Sequence, residues 1–451
     1  MTRRLALIVP VLALLALPAR AAGPLKVGVF AVDASPPVGS PLAYDPTKGV
    51  ETPLTCKGVV LIGEGQPVVL CAIDWIGVGN EAYAFFRSAL AEGAGTTSER
   101  VALHALHQHD APHADLTAGH MLAQKGIDRE IFDERLVRDV MARASAAARK
   151  ATAEARPVTH LGLGQAEVKE VASNRRILGP DGKVRAVRYT ATKDPALRAE
   201  PEGTIDPMLK LVTLWDGDTP VVALSYYATH PQSYYRTGLA NADFPGLARE
   251  ARQKATGAPH IHFNGAGGNL GAGKYNDGSH AMRQVLADRL ANGMARAWDA
   301  TTKAPLTAAD LGWKVERVAL PVAPHLDEAT LRSVLRDETA SVRARAQAAN
   351  DLAWLLRCKR GDRIEVSCLT LGDARLLHLP GELFVEYQLA AQRMAPDRFV
   401  AMAAYGDYAP GYIGTERAYA EGGYETAPTS SLVAPGVEKV LMDAIQTLLK
   451  D

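Results

Sequence analysis

Four histidines fall within one run, HALHQHDAPH, at His104, His107, His109 and His113. Imidazole nitrogen binds transition metals and exchanges protons near neutral pH. The run therefore reads either as a metal or acid–base site or as a polar, hydrogen-bonded loop. If the preceding strand VALHALH persists, His107 and His109 project to one face and Gln108 to the other. His104 then faces away and reads as structural. A further histidine, His230 in YYATHPQSYY, ends an apolar strand just before Pro231 stops the ladder. Glu382 in LLHLPGE follows another apolar strand and a Pro-Gly turn. A carboxylate beside a buried strand end needs a cation or donors to stay charged, although an exposed turn or helix-start glutamate fits the same residues.

Two histidines and a glutamate from three strand ends form a donor set suited to zinc, with a position left for water. Magnesium and calcium favour all-oxygen shells. The segment AYGDYAPGYIGTERAYAEGGYETA adds Tyr405, Tyr408, Tyr412, Tyr419 and Tyr424 among glycines. A phenol there either ligates a metal or donates to an oxyanion, or else packs a surface loop. FNGAGGNLG offers backbone amides but lacks the Lys-Ser/Thr of a P-loop. No G-x-S-x-G elbow for serine catalysis is present.

These residues need strand ends to position them. The pattern predicts strands at 25–32 and 67–73, at VALHALH, at VTHLGLGQAEV, in the pair KLVTLWDGDTPVVALSYYATH, at HIHFN and in VSCLTLGDARLLHLP. Helices are predicted at 82–92, 130–152, 245–255, 280–299, 326–357 and 432–450. Strands joined by tight turns, alternating with helices, imply an α/β fold with a mixed β-sheet core flanked by helices. No solenoid repeat period is evident.

Taken in order, VALHALHQHDAPH, SNRRI, GTIDPMLKLVTLWDGDTPVVALSYYATHP, HFNGAGGN, LTLGDARLLHLPGE and YAPGYIGTERAYAEGGYE resemble the catalytic domain of the neutral, non-lysosomal ceramidases. The likeness runs from about residue 25 to 430. It implies one zinc ion held by His107, His230, Glu382 and Tyr412. It places His109 beside the attacking water, Arg175 near the substrate carbonyl and Tyr424 near the developing oxyanion. Asn264 lies in the family's Asn/Gly-rich segment without an assigned role. The chain departs from the family in reading H-Q-H-D-A-P, where Asp110 adds a carboxylate, and in THPQSYY after the second histidine. The family's C-terminal immunoglobulin-like domain is not expected after the last motif.

Residues 1–21, with Arg3 and Arg4 ahead of a short apolar run and Ala19-Arg20-Ala21 at its end, read as a signal peptide preceding a single catalytic domain at 22–451. The stretch 281–357 reads as a possible helical insertion. The expected location is periplasmic or secreted, without a stable transmembrane anchor. Basic and acidic residues balance at 50 each, so no global field recruits nucleic acid. Cys56 with Cys71, and Cys358 with Cys368, flank hairpin-like segments and are expected to form two short-range disulfides in an oxidising compartment, with free buried thiols or another connectivity as the alternatives.

The expected function is zinc-dependent hydrolysis of an N-acyl amide bond by attack of metal-bound water, on a small-molecule or lipid-like amide. Another metallo-hydrolase of a small amide or ester, or a binding protein that retains the fold, stays open at this level, as does the oligomeric state. Aromatic residues make up only 6% of the chain, which favours small N-acyl amides over a two-chain ceramide.

Overall fold

The computed structural model describes residues 23–450, so the expected signal peptide lies outside the described residues. One wiring occurs three times along the chain. In the first sheet, Leu25–Asp33 (β1), Thr55–Ile62 (β2) and Val68–Ile73 (β3) are antiparallel neighbours. Helix Asn80–Ala94 (α1) crosses over, and Val101–Ala105 (β4) returns parallel to β3. Helices Leu116–Ala123 (α2) and Glu134–Ala153 (α3) follow, and the short strand Arg156–Val158 (β5) joins the far side of β1.

The second sheet repeats this with His160–Glu167 (β6), Met208–Asp216 (β7) and Thr219–Tyr227 (β8), then Asp243–Thr256 (α4) and His260–Asn264 (β9), parallel to β8. Helix Ala281–Asp299 (α5) precedes Thr302–Pro305 (β10), which joins the far side of β6. The third sheet begins with Leu311–Val318 (β11); Glu328–Arg336 (α6) and Val342–Lys359 (α7) intervene before Ile364–Leu371 (β12). Ala374–His378 (β13), Val385–Met394 (α8) and the parallel strand Phe399–Ala403 (β14) complete the motif, and Val437–Leu449 (α9) packs beside α8. The mixed-sheet core is thus three mixed sheets, ordered β4-β3-β2-β1-β5, β9-β8-β7-β6-β10 and β11-β12-β13-β14.

Alternation along the strands explains how they pack. On β2 and β3, Val59, Leu61, Val68 and Leu70 enter a core shared with Val212 and Leu224 of the second sheet and with Leu369 and Leu376 of the third. The alternate residues Cys56, Val60, Val69 and Cys71 face α1 and α3 instead. The second sheet is covered in the same way by α4 and α5, and the third by α8 and α9. Strands buried on both faces read as continuous apolar runs, and three such sheets share one interior.

The two expected disulfides are not formed. The β2–β3 register sets Cys56 opposite Ile73 and Cys71 opposite Gly58, so the cysteines are diagonal neighbours, a spacing wider than a disulfide favours. Their thiols touch at 3.3 Å in the core. Cys358, in the last turn of α7, and Cys368, inside β12, are also free. Within 281–357, α5 covers the second sheet, β10 and β11 join the second and third sheets, and α6 with α7 lies between β11 and β12. No described helix is long and apolar enough to cross a membrane.

Candidate metal and catalytic site

The repeated wiring brings the segments after β4, β8 and β13 to one place. Strand β4 stops at Ala105, and His107 adopts a left-handed backbone with φ 64°. The expected continuous strand is therefore absent, yet His107 and His109 still meet, with ring centroids 4.8 Å apart. The turn is fixed by backbone bonds from Leu106 N–H to the Ile73 carbonyl and from His107 N–H to the Trp75 carbonyl. His107 Nδ1 lies 2.6 Å from the Ile76 carbonyl. A carbonyl only accepts, so Nδ1 carries the proton and Nε2 is left as a lone-pair donor.

Glu382 follows β13 and pairs with Tyr412 in a two-residue parallel ladder. The glycine-rich loop after β9 wedges between this segment and the one bearing His230. A Cβ on Gly267 would stand 2.5 Å from the Thr229 carbonyl oxygen, and one on Gly268 2.2 Å from that of Glu382. These glycines allow close backbone approach.

Glu382 Oε2 lies 3.2 Å from His107 Nε2 and 3.9 Å from His230 Nδ1. All three atoms are buried without a hydrogen-bond partner. Burial pushes the Glu382 carboxyl up, but the 2.8 Å hydrogen bond donated by Tyr408 and the Arg175 charge help hold it below its ordinary value. His107, His109 and His230 also offer ring nitrogens within 4.8 Å of one another. His109, however, is engaged on both sides: Nδ1 lies 2.9 Å from the Tyr44 hydroxyl and Nε2 3.0 Å from His230 Nε2. The unpartnered atoms therefore favour the donor set that contains the carboxylate. Burial first, with the Arg175 charge, depresses the His109 pKa well below its usual value, so the ring is neutral at neutral pH.

Arg175 is buried and donates to the Tyr412 hydroxyl at 3.2 Å and to the Gly268 carbonyl at 2.5 Å. Its Nε lies 3.3 Å from Glu425, which keeps it cationic. Tyr424 is partly exposed and stacks edge-on against Tyr412 at 5.6 Å. A cavity of about 250 Å³ opens here, lined among others by His107, His109, Glu382, Tyr412 and Tyr424.

Asp110 turns to the loop after β8, accepting from Arg236 N–H at 2.9 Å and the Thr237 hydroxyl at 2.8 Å. Asn264 braces the turn before His107 by donating to the Leu106 carbonyl. His104 links the Ala404 carbonyl to Asn264 N–H. Tyr44 was missed in the sequence because it lies in a Pro-rich loop without periodicity; Tyr408 was visible only as one of several phenols.

No protein-family model matches the sequence, and no curated protein does. Among solved structures, the chain is similar to the neutral ceramidase from Pseudomonas aeruginosa, with a TM-score of 0.68 and 16% identity over 94% of this chain and 74% of that one. It is equally similar to a ceramidase complexed with C2, at TM-score 0.68 and 15% identity over the same shares. The resemblance read from the ordered motifs is thus present in the fold.

Proposed function

We propose that the protein is a zinc-dependent hydrolase of N-acyl amide bonds. The observation that carries this reading is the convergence of three buried, unpartnered atoms, His107 Nε2, His230 Nδ1 and Glu382 Oε2. With Tyr412 they would hold the ion, a nitrogen and oxygen donor set of the kind zinc accepts. When bound, zinc supplies Lewis acidity, polarising an acyl carbonyl and making water a stronger acid.

The chain's own residues supply the rest. His109, neutral and oriented by Tyr44 at Nδ1, accepts the proton of the attacking water at Nε2 by exchanging its His230 contact, and returns it to the leaving amine. Tyr424 donates toward the oxygen on which negative charge develops, and Arg175 holds the Tyr412 hydroxyl while adding positive potential. The cavity lies below the roughly 300–1,000 Å³ that encloses drug-sized ligands, which favours a short N-acyl amide over a two-chain ceramide.

The test is hydrolysis of a short N-acyl amide by purified protein before chelation, after chelation and after zinc is restored. Loss followed by recovery is expected; full activity in the chelated protein contradicts the proposal.

A further inference from the structure

The same cavity carries polar groups that the proposed chemistry does not use. Asp351 and Asn350, from α7, line it together with Asn80 and Asp115. Asp351 is 7% exposed, and its hydrogen bond comes from Gln347, one turn earlier, at 2.8 Å. Asn80 is 6% exposed and donates to Asp115 at 2.6 Å, which leaves its own Oδ1 buried and unpartnered. Asn350 Oδ1 is likewise unpartnered. Asp115 also accepts from Ala118 N–H at 3.0 Å as the cap of α2. No lysine or arginine is among the described residues lining the cavity, and no described cation pairs with Asp351 or Asp115.

A wall of acceptors without a cation is matched by a donor-rich, positively charged ligand, because charge-assisted hydrogen bonds are the strong ones. It also discriminates against an anionic ligand. Burial pushes Asp351 up to about 6 and Asp115 to about 7, the mark of carboxyls desolvated without a counter-charge.

We infer that Asp351, with Asn80, Asn350 and Asp115, forms a subsite for a protonated amine carried by the substrate. This rests on the hydrolase reading for the reaction itself. Hydrolysis of a mono-N-acyl diamine consumes one water and breaks the acyl C–N bond: the acyl carbon takes the hydroxyl, the nitrogen takes the proton, and an acid and a free diamine result.

The test has two independent parts. In the first, kcat/KM is measured for N-butylacetamide, N-acetyl-1,4-diaminobutane, N-butyl-4-aminobutanamide and N-acetyl-4-aminobutanoate. The two ammonium compounds separate an amine-side from an acyl-side position. At least one is expected to exceed N-butylacetamide by about tenfold, with the carboxylate compound poorest. In Asp351→Asn that ratio is expected to fall to about one, whereas Asp362→Asn, the same charge change at an exposed site outside this cavity, retains it.

In the second part, calorimetry measures binding of 1,4-diaminobutane without turnover, with affinity expected to fall about tenfold in Asp351→Asn. Diamine binding that depends on Asp351, without hydrolysis of any amide, supports the subsite and defeats the hydrolase reading. Hydrolysis without ammonium preference and without diamine binding overturns the subsite and leaves the hydrolase reading intact. If Asp351→Asn does not fold, the wild-type series decides alone: an ammonium-to-alkyl ratio at or below one overturns the subsite.

Discussion

His109 separates the two roles that adjacent histidines could play. Its ring nitrogens face Tyr44 and His230, whereas His107 spends Nδ1 on a backbone carbonyl and leaves Nε2 unpartnered. His109→Ala is therefore expected to lower kcat/KM by about 10²–10⁴, read by steady-state kinetics at fixed zinc loading; a change below threefold contradicts the proton-transfer role. Tyr424→Phe should lower kcat by roughly 10²–10³ if its hydroxyl serves the oxyanion, and an unchanged kcat removes it from the mechanism. The strand-end positions of His107, His230 and Glu382 were legible in the sequence. The left-handed turn at His107 was not, because it is imposed by bonds to Trp75 and Ile76 from another strand's end.

At the scale of elements, the first and second sheets are tied by one buried ion pair. Arg249 of α4 makes two 2.9 Å contacts with Asp74, just after β3. Burial pushes the Asp74 carboxyl up, but Arg249 and Thr55 outweigh it and hold the pKa below its ordinary value. A depressed carboxylate pKa contributes stability above its unfolded value, and that contribution is lost as pH falls through the folded value. Wild-type stability should therefore rise with pH up to about 4. Arg249→Met leaves a buried charge unpaired, costing about 3–5 kcal/mol, and raises the Asp74 pKa, so its contribution should fall as pH rises above about 4. Urea unfolding across this range checks both signs, and parallel profiles contradict the pairing. Helix positions were largely legible from periodicity, as with 82–92 inside Asn80–Ala94. The helix expected over 326–357 instead breaks between Arg336 and Val342, where Asp337 ends one helix and the Ser341 side chain caps the next.

At the scale of the molecule, three sheets of one wiring share an interior, and a segment after one strand of each brings His107, His230 and Glu382 together. The sequence carried no visible trace of this repetition, since the fold asks only for alternating apolar strands and permits different residues in each unit. N-terminal sequencing of exported protein should begin near Ala22 if residues 1–21 are a signal peptide; a retained Met1 contradicts export by that route. The proposed ion joins all three units through His107, His230 and Glu382. The direct measurement is elemental analysis of folded wild type, Glu382→Gln and His109→Ala. A single zinc ion per chain is expected in wild type and in His109→Ala, with loss in Glu382→Gln; zinc retained in Glu382→Gln and lost from His109→Ala would overturn this ligand set.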